Sequence, residues 1–388
     1  MPNPTNAAVQ WKLAGTGTGP ALAPVPANDI PVSRPRMPRT EALIPYLQRI
    51  DDRRTYSNFG PLVAELEARL ARRLGVDPAC VVTVANGTSG LTLALQAVVT
   101  EPKGYCLIPS WTFVATAHAV SASGLTPFLV DVDEGSWALT PEIARDALAQ
   151  IDGAVSAVMP VAPFGAPMDT DAWDRFTEQT GVPVIIDAAA GHDTVRAGVS
   201  PAVVSLHATK ILGAGEGGYV VSHRADVIAR IKQCSNFGFH GSRDARSLAT
   251  NAKMSEYHAA VGLAAMDAYA GDIANYRAVA AAYRERLSRQ QRVGFQAGFG
   301  SEWCGSVCVA RFFGADRQRI TSRLEAVGIS SRAWWGTGVH AQTAFAGMPR
   351  LPLPVTEMLA QETLGLPYFV DMTETDVERV CRIIEYAF

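Results

Sequence analysis

Short apolar segments alternate with helical segments along most of the chain, and this alternation restricts the possible folds more than any other feature. The apolar segments are rich in β-branched residues and end at turn-forming residues, as strands do. Strands that are apolar throughout are buried on both faces, and helical connections between them favour parallel pairing. The sequence therefore predicts an α/β fold with a mostly parallel sheet between helices. The predicted strands are CVVTVAN, YCLIP, TPFLVDV, AVSAVMPV, VPVIIDA, AVVSLHA and GYVVS.

The pattern divides the chain into three regions. Residues 1–40 contain eight of the 24 prolines and a GTGTGP run, which indicates an extended N-terminal arm. Residues 41–270 carry the alternation and form the predicted large domain. After a long helical stretch the pattern restarts with GSVCVARF, a helix near 317–327, a strand near 329–334 and two terminal helices. This restart predicts a smaller C-terminal α+β domain over residues 271–388.

The composition excludes several classes of protein. With 388 residues, 48% hydrophobic residues and a net charge of −3, the chain has material for a large core and no charge excess that favours nucleic acid or a membrane. The sequence predicts no transmembrane helix and no signal peptide. Six scattered cysteines without a C-x-x-C pair argue against a zinc framework, and we expect no metal. The expected location is the reducing cytoplasm.

The segment Asn86–Gly90 (NGTSG) follows an apolar strand and opens an apolar helix. In open parallel sheets, anionic groups bind at this position, because the first N–H groups of the helix are free and its dipole is positive there. The hydroxyls of Thr88 and Ser89 add donors, and Gly87 allows close approach. The alternative is an ordinary strand–helix turn with a capping side chain.

Asp187 ends the apolar strand VPVII and precedes three alanines and a glycine. A carboxylate at this position can cap a helix, bind a metal, or pair with a protonated heterocyclic nitrogen. The small residues after it leave room for a flat ligand. These three interpretations stay open at this point.

Lys210, one of only five lysines, stands between a predicted strand and the glycine-rich turn ILGAGEGG. A lysine crowded by an apolar sheet and close-packed glycines is partly desolvated, which lowers its pKa and suits imine chemistry. The alternative is a solvated surface lysine. The glycines match G-x-G-x-x-G, but YVVS after them reads as a strand, so we reject a dinucleotide site.

An anion anchor, an acidic residue at a strand end and a desolvated amine are together what pyridoxal phosphate requires. Six longer segments stand around them: YSNFGPLVAELEARLARRLG, VANGTSGLTLAL, IPSWTFVATAHAVSASGLTPFLVDVD, VIIDAAAGHD, SLHATKILGAGEGGYVV and NAKMSEYHAAVGLAAMD. In order and separation they resemble the motifs of the DegT/DnrJ/EryC1/StrS aminotransferases, the sugar-aminotransferase branch of the aspartate aminotransferase fold (fold type I). The resemblance runs from about Pro38 to the C-terminus.

The resemblance implies roles for individual residues. Lys210 becomes the imine-forming lysine, and Asp187 becomes the partner of the pyridinium nitrogen. The backbone of Gly87 and three hydroxyls hold the phosphate, an aromatic ring stacks on the cofactor, and an asparagine reaches the phosphate from the neighbouring subunit of a homodimer. The implied cofactor-binding residues are Gly87, Thr88, Ser89, Phe113, Asp187, Ser205, Lys210 and Asn251.

The chain departs from the family pattern at two places. Many members have glutamine three residues after the aspartate, where this chain has Ala190. The segment VAPFGAP replaces the commoner V-H-x-Y-G. Retention of Lys210 argues against the related dehydratases, which carry histidine at that position.

Several residues near these motifs remain candidates for a role. Because the Lys210 amine can itself move a proton, no histidine is required as an acid or base. The tryptophans of SSRAWWGTG, with a nearby arginine, either line a substrate pocket or pack between domains. Two arginines in a polar loop either bind a substrate phosphate or are solvated. These candidates are His192, His207, His240, His340, Arg332, Trp334, Trp335, Arg243 and Arg246.

The resemblance implies a homodimeric aminotransferase with a ping-pong mechanism. The amino donor is expected to be glutamate or glutamine, and the acceptor a keto group on a nucleotide-linked deoxysugar. One alternative is the same chemistry on a small phosphorylated ketone or a cyclitol. A second alternative is a catalytically silent binding or regulatory protein on this fold.

Overall fold

The computed structural model describes residues 29–99, 103–314 and 317–386. Most of the predicted N-terminal arm therefore lies outside the described residues. Its last part is extended: the backbone of Ile30 pairs with Ile329, and Val32 accepts a hydrogen bond from the Tyr368 amide. This segment thus lies along the C-terminal part of the chain.

The first two thirds of the described chain contain the alternation that the sequence predicts. The helices are α1 (Thr40–Arg53), α2 (Pro61–Leu74), α3 (Gly87–Val98), α4 (Val114–Ala122), α5 (Pro141–Leu148), α6 (Thr170–Thr180) and α7 (Ala225–Cys234). The strands are β1 (Val81–Val84), β2 (Tyr105–Pro109), β3 (Thr126–Val130), β4 (Val155–Val158), β5 (Ile186–Asp187), β6 (Ala202–Ser205) and β7 (Gly218–Val221).

These seven strands form one central sheet. Two groups are paired in the orders β1-β7-β6-β5 and β3-β2-β4, and parallel bridges at Val158–Val184 and Val161–Asp187 join the groups. Strand β7 is antiparallel to both of its neighbours, whereas the other pairs are parallel. The prediction of a mostly parallel sheet between helices is confirmed.

Helix α8 (Glu256–Leu287) is 32 residues long and connects the central sheet to the C-terminal part. Its first half packs into the core beneath the central sheet, and its second half packs into a separate C-terminal core. Because the helix is continuous through residue 271, the domain boundary there stays a prediction. In the described ranges, every helix is too short or too polar to cross a membrane.

The C-terminal part is an α+β unit with a three-stranded antiparallel sheet in the order β10-β9-β8. The strand predicted near 329–334 is wrong, because only isolated bridges form at Ile329 and Arg332. The chain turns away after Arg332, and an unpredicted strand takes the place beside β9. The elements are β8 (Val293–Gly294), β9 (Cys308–Phe312), α9 (Arg317–Glu325), α10 (Pro354–Glu362), β10 (Thr363–Leu366) and α11 (Glu374–Glu385).

The central sheet is buried on both faces, as the apolar strands require. On β7, Tyr219 and Val221 pack into the core that contains Leu66 of α2, while Val220 packs into the core that contains Leu95 of α3. Successive strand residues point to opposite faces, so a strand covered on both faces must be apolar throughout. The carboxyl ends of the parallel strands therefore meet at one edge of a rigid, buried sheet.

Candidate active site

A cavity of about 730 Å³ lies at the carboxyl ends of the parallel strands. This is the position at which open α/β sheets bind their ligands. The end of β5, the end of β6 and the start of α3 all contribute to its lining. The predicted site residues that line it are Gly87, Thr88, Ser89, Phe113, Asp187, Ser205 and Lys210.

The first turn of α3 forms one end of the cavity. Asn86 caps the helix, because its Oδ1 accepts a 2.8 Å hydrogen bond from the Ser89 amide. The hydroxyls of Thr88 and Ser89 are therefore not used as the cap, and the first amides have no acceptor within the helix. A Cβ on Gly87 would lie 3.1 Å from the Ser205 Cβ, so glycine permits this close packing. These donors form a cradle for an anion.

Ser205 adds a further donor to this cradle. Its Oγ accepts a 3.2 Å hydrogen bond from the His207 amide, which leaves the hydroxyl hydrogen free to donate elsewhere. The side chain lies at the end of β6, beside Gly87. Two different elements therefore direct donors to the same end of the cavity.

Asp187 is the buried acid of the site, with 4% of its surface exposed. Its Oδ2 accepts a 2.8 Å hydrogen bond from Thr116 Oγ1, and its Oδ1 accepts one of 3.1 Å from the Ala189 amide. Burial raises the pKa of Asp187, and these hydrogen bonds and nearby Lys210 offset the increase only in part. A cation beside the carboxylate would offset the remaining cost of burying its negative charge. The helix-cap interpretation is wrong, because residues 188–200 form turns, bends and irregular backbone without a helix.

Lys210 lies in the turn that connects β6 and β7, and its side chain is half-buried. Burial lowers the pKa of Lys210, and the charge of Asp187 opposes this effect without cancelling it. The turn is crowded, since a Cβ on Gly213 would lie 3.2 Å from the Ala208 Cα and one on Gly217 would lie 2.7 Å from Met254 Cε. The amine is therefore available as a neutral nucleophile at a lower pH than a solvated lysine.

The glycine-rich turn is followed by strand β7 and not by a helix. A dinucleotide fingerprint needs a helix there, whose amino end binds the pyrophosphate. The prediction that YVVS after Gly213, Gly215 and Gly218 lies in a strand is therefore confirmed.

Aromatic side chains cover much of the remaining lining. Phe113, at the amino end of α4, is 58% exposed, so a flat ligand on its ring would cover apolar surface. Elsewhere, the Phe164 and Trp335 rings stack with centroids 3.9 Å apart and planes 20° apart. Phe164 has a left-handed φ of 57°, an unfavourable conformation for a side chain of this size. Trp334 and Trp335 both line the cavity and also pack against an apolar core, so their role in substrate binding stays a prediction.

Most of the other candidates lie away from the cavity. His192 is buried beside Tyr219, whose hydroxyl is 3.1 Å from its Nδ1, and burial lowers the pKa of His192 to about 3. His340 Nδ1 is 2.8 Å from Ser110 Oγ, and His240 is exposed. Among the four histidine candidates, only His207 lines the cavity.

The polar loop before helix α8 is also outside the cavity. Asn251 is exposed, and its Oδ1 accepts a 2.7 Å hydrogen bond from Lys253 Nζ. Arg243 and Arg246 are exposed on the same loop, and Arg246 pairs with Asp244 at 3.7 Å. Arg332 lies nearer the cavity, since its guanidinium carbon is 5.2 Å from the ring centroid of Trp334, which lines the cavity.

Several residues of the site were not predicted from the sequence. Thr116 on α4 donates a hydrogen bond to Asp187, and Phe164 stacks on Trp335. Ser33 and Glu216 also line the cavity. Glu216 follows Lys210 in the glycine-rich turn, and Thr116 lies three residues after Phe113 in a recognised segment, so both positions offered a local signal. Nothing local points to Ser33.

The residues fit pyridoxal phosphate. A phosphate matches the donors of the α3 cradle, and a protonated pyridine nitrogen supplies the cation that buried Asp187 lacks. The half-buried Lys210 amine lies in the same cavity. When bound, pyridoxal phosphate supplies an electron-withdrawing ring that stabilises negative charge on the α-carbon of an amino acid. The fold and site define a pyridoxal-phosphate enzyme of fold type I.

Comparison with known proteins agrees with this class. A putative PLP-dependent aminotransferase from Bacillus cereus is 27% identical, with a TM-score of 0.85 over 92% of this chain and all of that one. DesI, whose structure was determined with its TDP-sugar product, is 33% identical, with a TM-score of 0.83 over 92% of this chain and 93% of that one.

Curated relatives include two proteins called dTDP-4-amino-4,6-dideoxy-D-glucose transaminase. The one from Shigella dysenteriae is 34% identical over 239 residues, which cover 60% of this chain and 63% of that protein. The one from Escherichia coli is 26% identical over 370 residues, which cover 92% of this chain and 98% of that protein. The model of the DegT/DnrJ/EryC1/StrS aminotransferase family matches residues 39–385. The chain belongs to this family and is a PLP-dependent aminotransferase, as the sequence motifs predict.

Proposed function

We propose that this enzyme transfers the amino group of glutamate or glutamine to a keto group on a nucleotide-linked deoxysugar. The observation that carries the proposal is the cavity that joins Lys210, Asp187 and the α3 cradle to an apolar aromatic wall. Its volume of about 730 Å³ leaves room for a sugar ring beside the cofactor. DesI and the two transaminases named above, which act on or bind TDP-linked or dTDP-linked sugars, support this acceptor class.

In the proposed mechanism, Lys210 both holds the cofactor and moves protons. Its neutral Nζ takes the proton from the α-carbon of the donor in the first half-reaction. In the second half-reaction it delivers a proton to the carbon that carried the keto oxygen of the acceptor. The lowered pKa of Lys210 supports this role, because a protonated amine could not accept the first proton.

Asp187 has an electrostatic role in this proposal. Its carboxylate would hold the ring nitrogen of bound pyridoxal phosphate in the protonated form, and the charged ring would stabilise negative charge on the α-carbon of the donor. Thr116 and the Ala189 amide hold the carboxylate in place. Thr88, Ser89, Ser205 and the amide of Gly87 hold the phosphate, and Phe113 covers the ring.

An acceptor screen with purified enzyme tests the proposed function. Nucleotide-linked 3-keto and 4-keto sugars are compared with a phosphorylated ketone and a keto-cyclitol, after glutamate has converted the cofactor. The readouts are the return of the cofactor's visible absorbance and the mass of the aminated product. We expect at least tenfold higher kcat/KM for a nucleotide-linked keto sugar. Faster turnover of the phosphorylated ketone or cyclitol would contradict the proposal, and an absence of cofactor absorbance would favour a silent protein.

We also propose that two chains share each active site. Asn251 lies on an exposed loop outside the cavity of its own chain, in keeping with a role in a neighbouring subunit. The same region exposes apolar side chains, with Leu248 97% and Phe237 47% accessible. Exposed apolar groups of this size favour a covered surface. A homodimer would cover them and bring Asn251 to the partner's phosphate.

Mixing two inactive variants tests the shared site. In a mixed dimer of Lys210→Ala and Asn251→Ala chains, one site collects both defects and the other has none. Random pairing makes about half of the dimers mixed, so turnover should recover to about a quarter of the unaltered level. Asn251→Ala alone must first be clearly impaired. No recovery with confirmed mixed dimers would show that Asn251 acts within its own chain.

The cysteines support the proposed cytoplasmic location of the enzyme. Cys80, Cys106, Cys234, Cys304 and Cys308 are unpaired and buried, and so is Cys381. Unpaired thiols persist in reducing compartments, whereas secreted proteins usually pair theirs. Cofactor loading of enzyme recovered from a cytosolic fraction would test this location directly.

A further inference from the structure

Ser306 is a buried polar residue of the active-site cavity to which none of the roles above has been given. It lines the cavity, and only 5% of its surface is exposed. Its hydroxyl makes no hydrogen bond to any residue that the structure describes. Buried hydroxyls nearly always have a hydrogen-bond partner. A buried hydroxyl that faces a cavity and lacks a partner therefore indicates a polar group on the ligand.

The other polar side chains of the lining differ from Ser306. Ser33 lines the cavity but is only half-buried, so water can satisfy its hydroxyl. The Nε1 of Trp334 is buried without a partner in the described ranges, but it packs against the backbone of Gly365. Outside the α3 cradle, the polar side chains of the lining that already have a partner within the chain include Asn86, Thr112, His207, Thr209 and Glu216.

Backbone packing places Ser306 beside the turn that follows Asp187. Gly165 has a left-handed φ of 98°, and a Cβ there would lie 2.6 Å from the Ala190 carbonyl oxygen and 3.5 Å from the Gly305 Cα. Three backbone segments therefore meet at Gly165, and Ser306 directly follows one of them. Ala190, three residues after Asp187, carries no polar group on its side chain. Ser306 can therefore supply a hydrogen-bond donor to this side of the cavity.

Pyridoxal phosphate has one polar group that the residues discussed so far leave without a partner. Its phosphate matches the α3 cradle, its ring nitrogen matches Asp187, and its aldehyde carbon matches the Lys210 amine. The remaining group is the ring hydroxyl, which stands next to the aldehyde on the edge of the ring away from the phosphate arm. We propose that Ser306 binds the cofactor by donating a hydrogen bond to this ring oxygen.

This contact would fix the orientation of the cofactor ring. A ring that is held only at its nitrogen and its phosphate can still tilt about the line through these two points, and a third contact prevents the tilt. When the ring oxygen is ionised, the hydrogen bond from Ser306 is charge-assisted and therefore strong. Since the contact concerns the cofactor, the inference does not depend on which acceptor the enzyme uses.

The experiment measures the Kd of two probes for the cofactor-free full chain by calorimetry. The probes are pyridoxamine phosphate and its 3-deoxy analogue, which lacks the ring hydroxyl. Both are amines, so they bind without a covalent bond to Lys210. The unaltered protein is compared with Ser306→Ala and with Ser306→Cys, which keeps the shape but is a weak donor. Ser331→Ala is the matched control, because the buried Ser331 hydroxyl also lacks a partner in the described residues but lies outside the cavity.

We expect both Ser306 variants to raise the Kd of pyridoxamine phosphate by about 10- to 100-fold and that of the 3-deoxy analogue by less than about threefold. The control should change neither Kd, and circular dichroism should show that each variant is folded. An unchanged Kd of pyridoxamine phosphate in a folded Ser306 variant would overturn the inference. Equal weakening of both probes would also overturn it, because Ser306 would then only shape the cavity.

Discussion

Thr116 Oγ1 donates a 2.8 Å hydrogen bond to Oδ2 of Asp187, and both side chains are buried. Thr116 comes from α4 and Asp187 from the end of β5, so the contact joins a helix to a strand of the central sheet. Thr112 Oγ1 lies 2.8 Å from Thr116 Oγ1 and extends the chain of hydroxyls. The buried carboxylate is thus oriented by two hydroxyls of the recognised segment IPSWTFVATAHAV, to which the sequence analysis gave no role.

Removal of this hydrogen bond should shift the pH profile of the enzyme. Thr116→Val keeps the shape of the side chain but removes a donor that favours the charged form of Asp187, so the pKa of Asp187 rises further. Activity that needs the carboxylate is then lost at a higher pH as the solution is acidified. We expect kcat/KM at neutral pH to fall about tenfold or more, since a hydrogen bond to a charged group contributes about 1.5–3 kcal/mol.

The control for this variant is Thr177→Val, because the buried Thr177 hydroxyl has no hydrogen-bond partner in the described part of the chain. It should leave both kcat/KM and the pH profile unchanged. If kcat/KM of Thr116→Val falls at the same acidic pH as that of the unaltered enzyme, the Thr116 hydroxyl does not lower the pKa of Asp187.

Asp187→Asn should keep the shape of the site and remove its negative charge. Turnover should fall by orders of magnitude, because the ring nitrogen loses the partner that keeps it protonated, while the protein stays folded. Asp174→Asn is a matched control, since Asp174 accepts hydrogen bonds from the amides of Val199 and Ser200 outside the cavity. It should lower stability by about 1–3 kcal/mol without a comparable loss of turnover. Comparable turnover in the two variants would remove Asp187 from the mechanism.

Lys210→Ala should fold and bind the cofactor without turning over substrate. The variant lacks both the amine that holds the cofactor and the group that moves the proton, so we expect a loss of at least about a hundredfold. Steady-state kinetics and the visible spectrum measure the two effects. Lys232→Ala, a change at an exposed lysine 3.8 Å from Glu67, should leave turnover unchanged. Retention of more than a few per cent of activity in Lys210→Ala would assign the chemistry to another group.

His192 should affect acid stability and not catalysis. Burial lowers the pKa of His192 to about 3 from 6.5, so the native state stays neutral while the unfolded chain takes up a proton. A group with a depressed pKa stabilises the native state above pH 6.5, and this contribution is lost as the pH falls toward 3. His192→Asn lacks this titration, so its free energy of unfolding should fall less between pH 7 and 4 than that of the unaltered protein.

Turnover of His192→Asn should stay within about threefold of the unaltered enzyme, because the side chain does not line the cavity. Urea unfolding at several pH values and steady-state kinetics provide the two measurements. The exposed His118 offers a control, and His118→Asn should change neither quantity appreciably. A large loss of turnover in His192→Asn alone would restore an acid–base role to His192.

The sequence by itself determined the features that depend on residues close together along the chain. Apolar strands and the turns after them predicted the mostly parallel sheet, and this order placed Gly87, Asp187 and Lys210 at strand ends. Since the carboxyl ends of parallel strands lie at one edge of a sheet, the three residues share a cavity. The sequence also predicted that a strand, and not a helix, follows the glycine-rich turn, because β-branched residues favour a strand.

Only the tertiary structure decided the contacts between distant segments. Thr116 reaches Asp187 because α4 packs against the sheet, and Phe164 meets Trp335 because the C-terminal part folds back onto the cavity. The segment near 329–334 has a strand-like composition, yet the place beside β9 goes to Thr363–Leu366, which packs there. Periodicity and turn chemistry are local properties, whereas the choice of partner depends on which surfaces fit together in the folded core.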